Sequence, residues 1–369
     1  MRVRIRLIYT FWIMLAVALG FSFGFFSSVG ADFALTGLER FGRAISFKQG
    51  STSAAQEDVK RFTPQVSENT SSRQTKLGSL FSETVTLAFL GDMMLDRGVA
   101  SSVEKHYGGD WGVLFGNLAP LKEYDVLFAN LEGPISDVGV DLRNLYSFRM
   151  DPEALDAIKD AGFDVLSVAN NHMGDWGRSA FEDTLVRLRE AEILAVGGGE
   201  NELDASVVKI IQRKNLDIGF VGFSDVGPKN LAAGPHVSGI LLASEESIKE
   251  VVPRAKDSVD ILVASFHFGN EYQHLPSSRQ RTLAHLAIDM GADIVIGHHP
   301  HVPQPVELYH GGVIAYSLGN FIFDQNFSNE TMQGVLLEVP IVGGKVVIPT
   351  LRSIRLNRHF IPQLVPETP

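Results

Sequence analysis

The alternation of apolar and polar stretches divides the chain into four parts. Arg2, Arg4 and Arg6 precede an uncharged run of 20 residues, Leu7 to Phe26. About 20 apolar residues suffice to cross the hydrocarbon core of a bilayer as a helix. Basic residues on the short flank keep the N-terminus in the cytoplasm and send the remainder out. The competing reading is a cleaved signal peptide ending near Val29-Gly30-Ala31, although the run exceeds the roughly 7–15 residues of a signal core. Residues 1–31 are therefore expected to be a single-pass membrane anchor or a signal peptide. Either way the body lies on the extracytoplasmic side of the cell membrane, and it is secreted if the segment is cleaved. Residues 32–83 are expected to form a flexible linker, because Gly50 to Ser82 is rich in Ser, Thr, Gln and charge and has no apolar periodicity. One globular domain is expected over 84–356, followed by a tail over 357–369.

Within the domain, near-continuous apolar runs predict strands buried on both faces. These are TVTLAFL (84–90), DVLFANLE (125–132), FDVLSVANNH (163–172), DILVASFHFG (260–269), ADIVIGHHPH (292–301) and GVIAYSLGNFIFD (312–324). Helical patterns fall at 152–162, 177–192 and 277–291, the last starting at a Ser cap and stopping at Gly291. Residues 335–356 read as a hairpin about the turn Gly343-Gly344. Strand–helix alternation followed by an all-β end implies a mixed α/β sandwich.

In open α/β sheets functional groups gather beyond the carboxyl ends of the strands. Asp92, Glu132, Asn171, His172, His267, His299 and His301 all fall at such ends. Each has an ordinary alternative. Asp92 suits a turn or a helix cap, and Glu132 a turn-facing carboxylate before Gly133-Pro134. Asn170, Asn171 and His172 suit a hydrogen-bonded loop, and His267 a satisfied core histidine. His299-Pro300-His301 is harder to dismiss, because proline stiffens the spacing and an extended H-x-H presents both imidazoles on one side. His298 falls outside that pair.

Composition narrows the chemistry. The chain is 45% hydrophobic and has a net charge of −11, which disfavours a nucleic-acid partner. It has no cysteine, so a metal must be held by His, Asp, Glu or Asn. Such donors suit one or two divalent ions of Mn, Fe or Zn. Two ions would clamp the attacking and leaving oxygens of a phosphoester, with His172 as general acid.

The blocks Gly91-Asp92-Met93-Met94-Leu95, Ala129-Asn130-Leu131-Glu132, Ala169-Asn170-Asn171-His172, His267-Phe268-Gly269-Asn270-Glu271-Tyr272, Gly297-His298-His299-Pro300-His301-Val302 and Tyr316-Ser317-Leu318-Gly319-Asn320-Phe321 resemble, in order, the CapA family of capsule and poly-γ-glutamate biosynthesis proteins. The resemblance implies the calcineurin-like metallophosphatase fold, a four-layer αββα sandwich behind an N-terminal transmembrane helix and linker. It implies Asp92, Glu132, Asn171, His267, His299 and His301 as metal ligands and His172 as the catalytic histidine. Met94 stands where the superfamily's D-x-H histidine would, Glu132 stands in for a bridging Asp, and Phe268 takes the place of the family's usual Trp. The implied role is making, cleaving or exporting an anionic polymer, together with other membrane subunits of a polymer synthase. A general phosphoesterase acting on a phosphate-containing substrate and a non-catalytic assembly subunit are the alternatives.

Overall fold

A computed structural model describes residues 84–366. The anchor and linker expected over 1–83 lie outside the described residues, and no helix among the described residues is long and apolar enough to cross a membrane.

The strands are β1 (Val85–Met93), β2 (Val126–Leu131), β3 (Val165–Ser167), β4 (Leu194–Val196), β5 (Gly198–Gly199), β6 (Lys209–Arg213), β7 (Leu216–Ser224), β8 (Gly239–Ile240), β9 (Ile261–His267), β10 (Ile294–His298), β11 (Val306–Tyr309), β12 (Gly312–Ala315), β13 (Asn320–Ile322), β14 (Gln333–Val342), β15 (Lys345–Val346), β16 (Thr350–Leu356) and β17 (Pro362–Leu364). The helices are α1 (Arg97–Tyr107), α2 (Ala154–Ala161), α3 (Gly177–Glu190), α4 (Glu202–Ser206), α5 (Glu245–Lys256) and α6 (Ser278–Asp289).

Two sheets carry the site. The first runs β17-β16-β14-β1-β2-β3-β4, with β13 and β15 as side branches. The second runs β11-β12-β10-β9-β7-β6. The centres, β1-β2-β3-β4 and β12-β10-β9-β7, are parallel. That explains the unbroken apolar runs, since both faces of these strands are covered.

The sheets pack face to face through Val85, Leu87, Phe89, Val126 and Phe128 on one side and Phe220, Val263, Ile294 and Ile296 on the other. Phe128 stacks on Phe220 across the seam at 6.1 Å and 12°. The outer face of the first sheet is covered by residues of α1, α2 and α3, including Val99, Ile158 and Phe181. Ile248, Val252, Leu283 and Ala287 of α5 and α6 cover that of the second. The described chain is thus a mixed α/β fold of four layers, helix, sheet, sheet, helix.

Three departures from expectation have local causes. The apolar run 312–324 is two strands, because Leu318-Gly319 carries the chain from β12 in the second sheet to β13 in the first. β3 has only three residues, because the Asn170 side chain accepts the amides of His172 and Met173 (both 3.1 Å) and turns the chain. Residues expected as a tail after Leu356 instead supply β17, which pairs with β16 and buries Phe360 and Ile361. The Gly343-Gly344 turn stands, with φ of 57° and 73° at the end of β14.

Candidate metal centre

Strand ends from both sheets meet in one cluster. From the first sheet come Asp92 at the end of β1, Asn130 in β2, Glu132 just after it, and the loop after β3 with Asn170, Asn171 and His172. From the second come His267 ending β9 and His298 ending β10, followed by His299 and His301.

The aim of Asp92 is set by backbone. One extra residue in β1 between Phe89 and Asp92 shifts its register against β2, a bulge that re-aims the side chain beyond it. Gly91 makes this possible, because a Cβ there would lie 1.9 Å from the Gly319 carbonyl oxygen. Asp92 does not cap α1. Asp96 does, its carboxylate accepting the Arg97 amide.

Asp92, Glu132 and His267 are fully buried, with ligand atoms within 4.8 Å of one another. His299, His301 and Glu271 form a second set on the same criterion. His267 Nε2 lies 3.6 Å from Glu132 Oε1, and His301 Nδ1 lies 3.1 Å from Asp92 Oδ2. Asn130 donates to Asp92 Oδ1 at 2.8 Å and also to Glu132. Asn170, the buried one of the two loop asparagines, donates to Asn130 Oδ1 and the Leu131 carbonyl, tying the loop to β2. Asn171 meets His267, Oδ1 to Nε2 at 2.7 Å.

His172 Nδ1 lies 2.8 Å from Asp175 Oδ2, so that nitrogen carries the proton donated to the carboxylate. Its Nε2 then faces the cluster, 3.9 Å from Glu132 Oε1. Phe148 packs on the ring at 4.1 Å. His301 Nδ1 lies 3.0 Å from Asn320 Oδ1, which leaves Nε2 as its free lone pair.

The histidine run differs from the extended H-x-H expected. His299 and His301 have φ of 97° and 56°, a left-handed geometry that is rare for residues with side chains. The turn lets the His299 amide donate to Asp92 Oδ2 at 3.2 Å and the Pro300 carbonyl accept the Tyr272 amide at 2.8 Å. His298, set apart by its sequence position, is buried with the cluster. It lies against Phe128 at 5.9 Å, and its Nδ1 is 3.4 Å from Asp92 Oδ1 without hydrogen-bond geometry.

Buried polar groups ordinarily find partners, yet Glu132 Oε1, His267 Nδ1, His299 Nδ1 and both His298 nitrogens have none. Charge tells the same story. Burial alone would raise Asp92, but the close imidazoles of His301 and His298 hold it well below the usual carboxylate range. Burial and then repulsion from Asp92 push Glu132 well above its ordinary value. Burial, with repulsion from neighbouring imidazoles, depresses His267 strongly and His299 to about 3. Neutral imidazoles and closely set carboxylates are the ligating forms a divalent cation requires. The residues present fit such an ion.

All seven residues singled out from sequence fall in this cluster or on its wall. Glu271, Asp175, Asn130 and Asn320 were not assigned roles from sequence. Asn130, Glu271 and Asn320 lie within the family-like blocks, a usable signal, whereas Asp175 lies outside them.

A family model described as bacterial capsule synthesis protein PGA_cap matches residues 86–325. The chain is 35% identical over 257 residues to the capsule biosynthesis protein CapA of Bacillus anthracis, covering 67% of this chain and 61% of that one. It is 35% identical over 263 residues to the PGA biosynthesis protein CapA of Bacillus subtilis, covering 69% and 67%. The matched part thus spans about three fifths to two thirds of those relatives. Among solved structures, a Mycoplasma pneumoniae phosphatase superposes with a TM-score of 0.49 at 14% identity, covering 74% of this chain and 94% of that one.

Proposed function

Because the chain belongs to the bacterial capsule synthesis protein PGA_cap family, we propose that it serves the making, cleaving or export of an anionic capsule polymer of the poly-γ-glutamate class. It does so on the extracytoplasmic face of the membrane, held by its N-terminal segment and working beside other membrane subunits. Its instrument is a divalent-metal hydrolase-type site on a calcineurin-like scaffold. The observation that carries this reading is the buried cluster of Asp92, Glu132, His267 and His299, in which Glu132 Oε1, His267 Nδ1 and His299 Nδ1 lack partners, beside the oriented His172.

Asp92, Glu132 and His267 would hold one ion, and His299, His301 and Glu271 a second. Asn171 supports the site through His267. Mn, Fe or Zn suits these donors. When bound, the metal supplies positive charge and Lewis acidity toward a substrate oxygen. The protein's own residues do the rest. Asp175 fixes the tautomer of His172, so that Nε2 faces the reacting group and can pass a proton to the leaving atom. Phe148 shields one face of that imidazole from water. Which bond breaks is decided by the site's contacts and not by the fold.

The test offers a panel of phosphoesters and a γ-linked glutamate oligomer to the Mn-loaded full chain and its His172→Ala variant. The variant should keep its metal and lose about 10²-fold or more in turnover. No turnover on any substrate, with undiminished polymer in cells carrying His172→Ala, would contradict catalysis. That outcome would favour an assembly subunit that keeps the site for structure. One observation supports this second reading: at the D-x-H position, buried Met94 uses its sulfur to accept the Asp96 amide at 3.1 Å.

A further inference from the structure

An open cleft of about 750 Å³ lies between α1 and the turn joining β16 to β17. Ser101, Lys105 and His106 line one wall, and Arg358, His359 and Phe360 the other. No Asp or Glu lines it, although the chain has a net charge of −11. Neither Lys105 nor Arg358 is paired with a carboxylate among the described residues. A concave surface that collects cations without partners, on an acidic protein, selects anions by charge.

The cleft is built rather than incidental. The Asn357 carboxamide oxygen accepts the amides of His359 (2.8 Å) and Ile361 (3.1 Å), closing the turn. Phe360 is held at φ 64° within it. Arg358 Nε donates to His359 Nε2 at 3.0 Å, which fixes the guanidinium at the wall. His106 meets the His359 ring edge-on at 4.5 Å. Desolvation, and then repulsion from His106 and Arg358, hold His359 below the ordinary imidazole range.

A run of side-chain contacts leads from the cleft toward the metal centre. Gly98 lines its near end and donates its amide to Asp324 at 2.9 Å. Asp324 pairs with Arg97, whose guanidinium lies 4.7 Å from the centre of the Phe148 ring, the ring that packs on His172. From Arg97 to Lys105, α1 rises by about 12 Å, the length of roughly four residues of extended chain.

We infer that this cleft is a binding groove for a polycarboxylate chain, running along α1 from the mouth of the metal centre and gripping successive carboxylates with Lys105 and Arg358. The inference rests on the proposed role in capsule polymer work, but it does not require the metal.

Binding of a fluorescent glutamate decamer to the full chain is measured by anisotropy, with inorganic polyphosphate and neutral dextran as competitors and with or without chelator. The decamer should bind with or without chelator, weaken as salt rises, and resist dextran. Lys105→Glu with Arg358→Glu should weaken it about ten-fold or more, a change of about 1.4 kcal/mol, with metal content unchanged. Lys105→Gln with Arg358→Gln gives a milder loss should the reversed charges disturb folding. Equal affinity in wild type and both double variants would overturn the groove. So would binding of polyphosphate alone. Decamer binding lost in chelator and in His299→Ala/His301→Ala, but untouched at Lys105 and Arg358, would place the chain at the metal centre and overturn the groove while leaving the metal reading intact.

Discussion

At the scale of single residues, the metal centre is a set of groups whose charge states conflict until a cation joins them. His299 titrates near 6.5 in the unfolded chain and near 3 in the fold. Between those values the unfolded chain binds more protons, so this group's contribution to stability is present above 6.5 and is lost as pH falls toward 3. His267, depressed by the same burial, acts in the same sense. Glu132 acts in the opposite sense. Its raised carboxyl contributes stability that is present below about 4.5 and is lost as pH rises through its folded value, and a bound cation offsets that loss. In chelator, the melting temperature of the wild type should therefore fall as pH drops from 6.5 toward 3. His299→Ala should fall less steeply over the same window. Parallel profiles by circular dichroism would remove His299 from the account. Much of the residue set was legible, because a polar group ending an apolar run has few structural reasons to be there. Asp175 was not, since an aspartate in a Gly-rich loop looks like any turn residue. The burial of His298 was hidden because adjacency to His299 says nothing of which way either ring points.

At the scale of elements, the site depends on how closely backbones approach. β1 and the Leu318-Gly319 link come so near that Gly91 has no room for a side chain, and Asp92 donates its amide to the Gly319 carbonyl at 2.9 Å. Gly91→Ala should cost about 1–3 kcal/mol in urea denaturation, the usual range for overpacking, and should reduce metal affinity by displacing Asp92. Unchanged stability would mean that the contact yields easily. The parallel strands were legible as unbroken apolar runs. The split of 312–324 between two sheets was not, because an apolar run carries no mark of which sheet covers it. The left-handed His299 and His301 were hidden for a related reason: proline restricts its own φ and disfavours helix before it, which left an extended segment as the simplest reading. β17 is short, and pairing with β16 rather than its own pattern defines it.

At the scale of the whole described unit, the cluster joins two sheets that also meet through apolar packing, such as Phe128 on Phe220, and through ion pairs such as Arg213 with Asp164. The first sheet contributes Asp92 and Glu132, and the second His267, His299 and His301. A cation there links the halves, and binding to the folded state alone adds stability by mass action. The direct measurement is elemental analysis of the purified full chain, wild type beside His299→Ala/His301→Ala, with circular dichroism to verify folding. The account predicts one or two divalent ions per wild-type chain, with at least one lost from a folded double variant. Equal metal content in the two, or a metal-free wild type after purification and reloading with Mn, Fe or Zn, would contradict it.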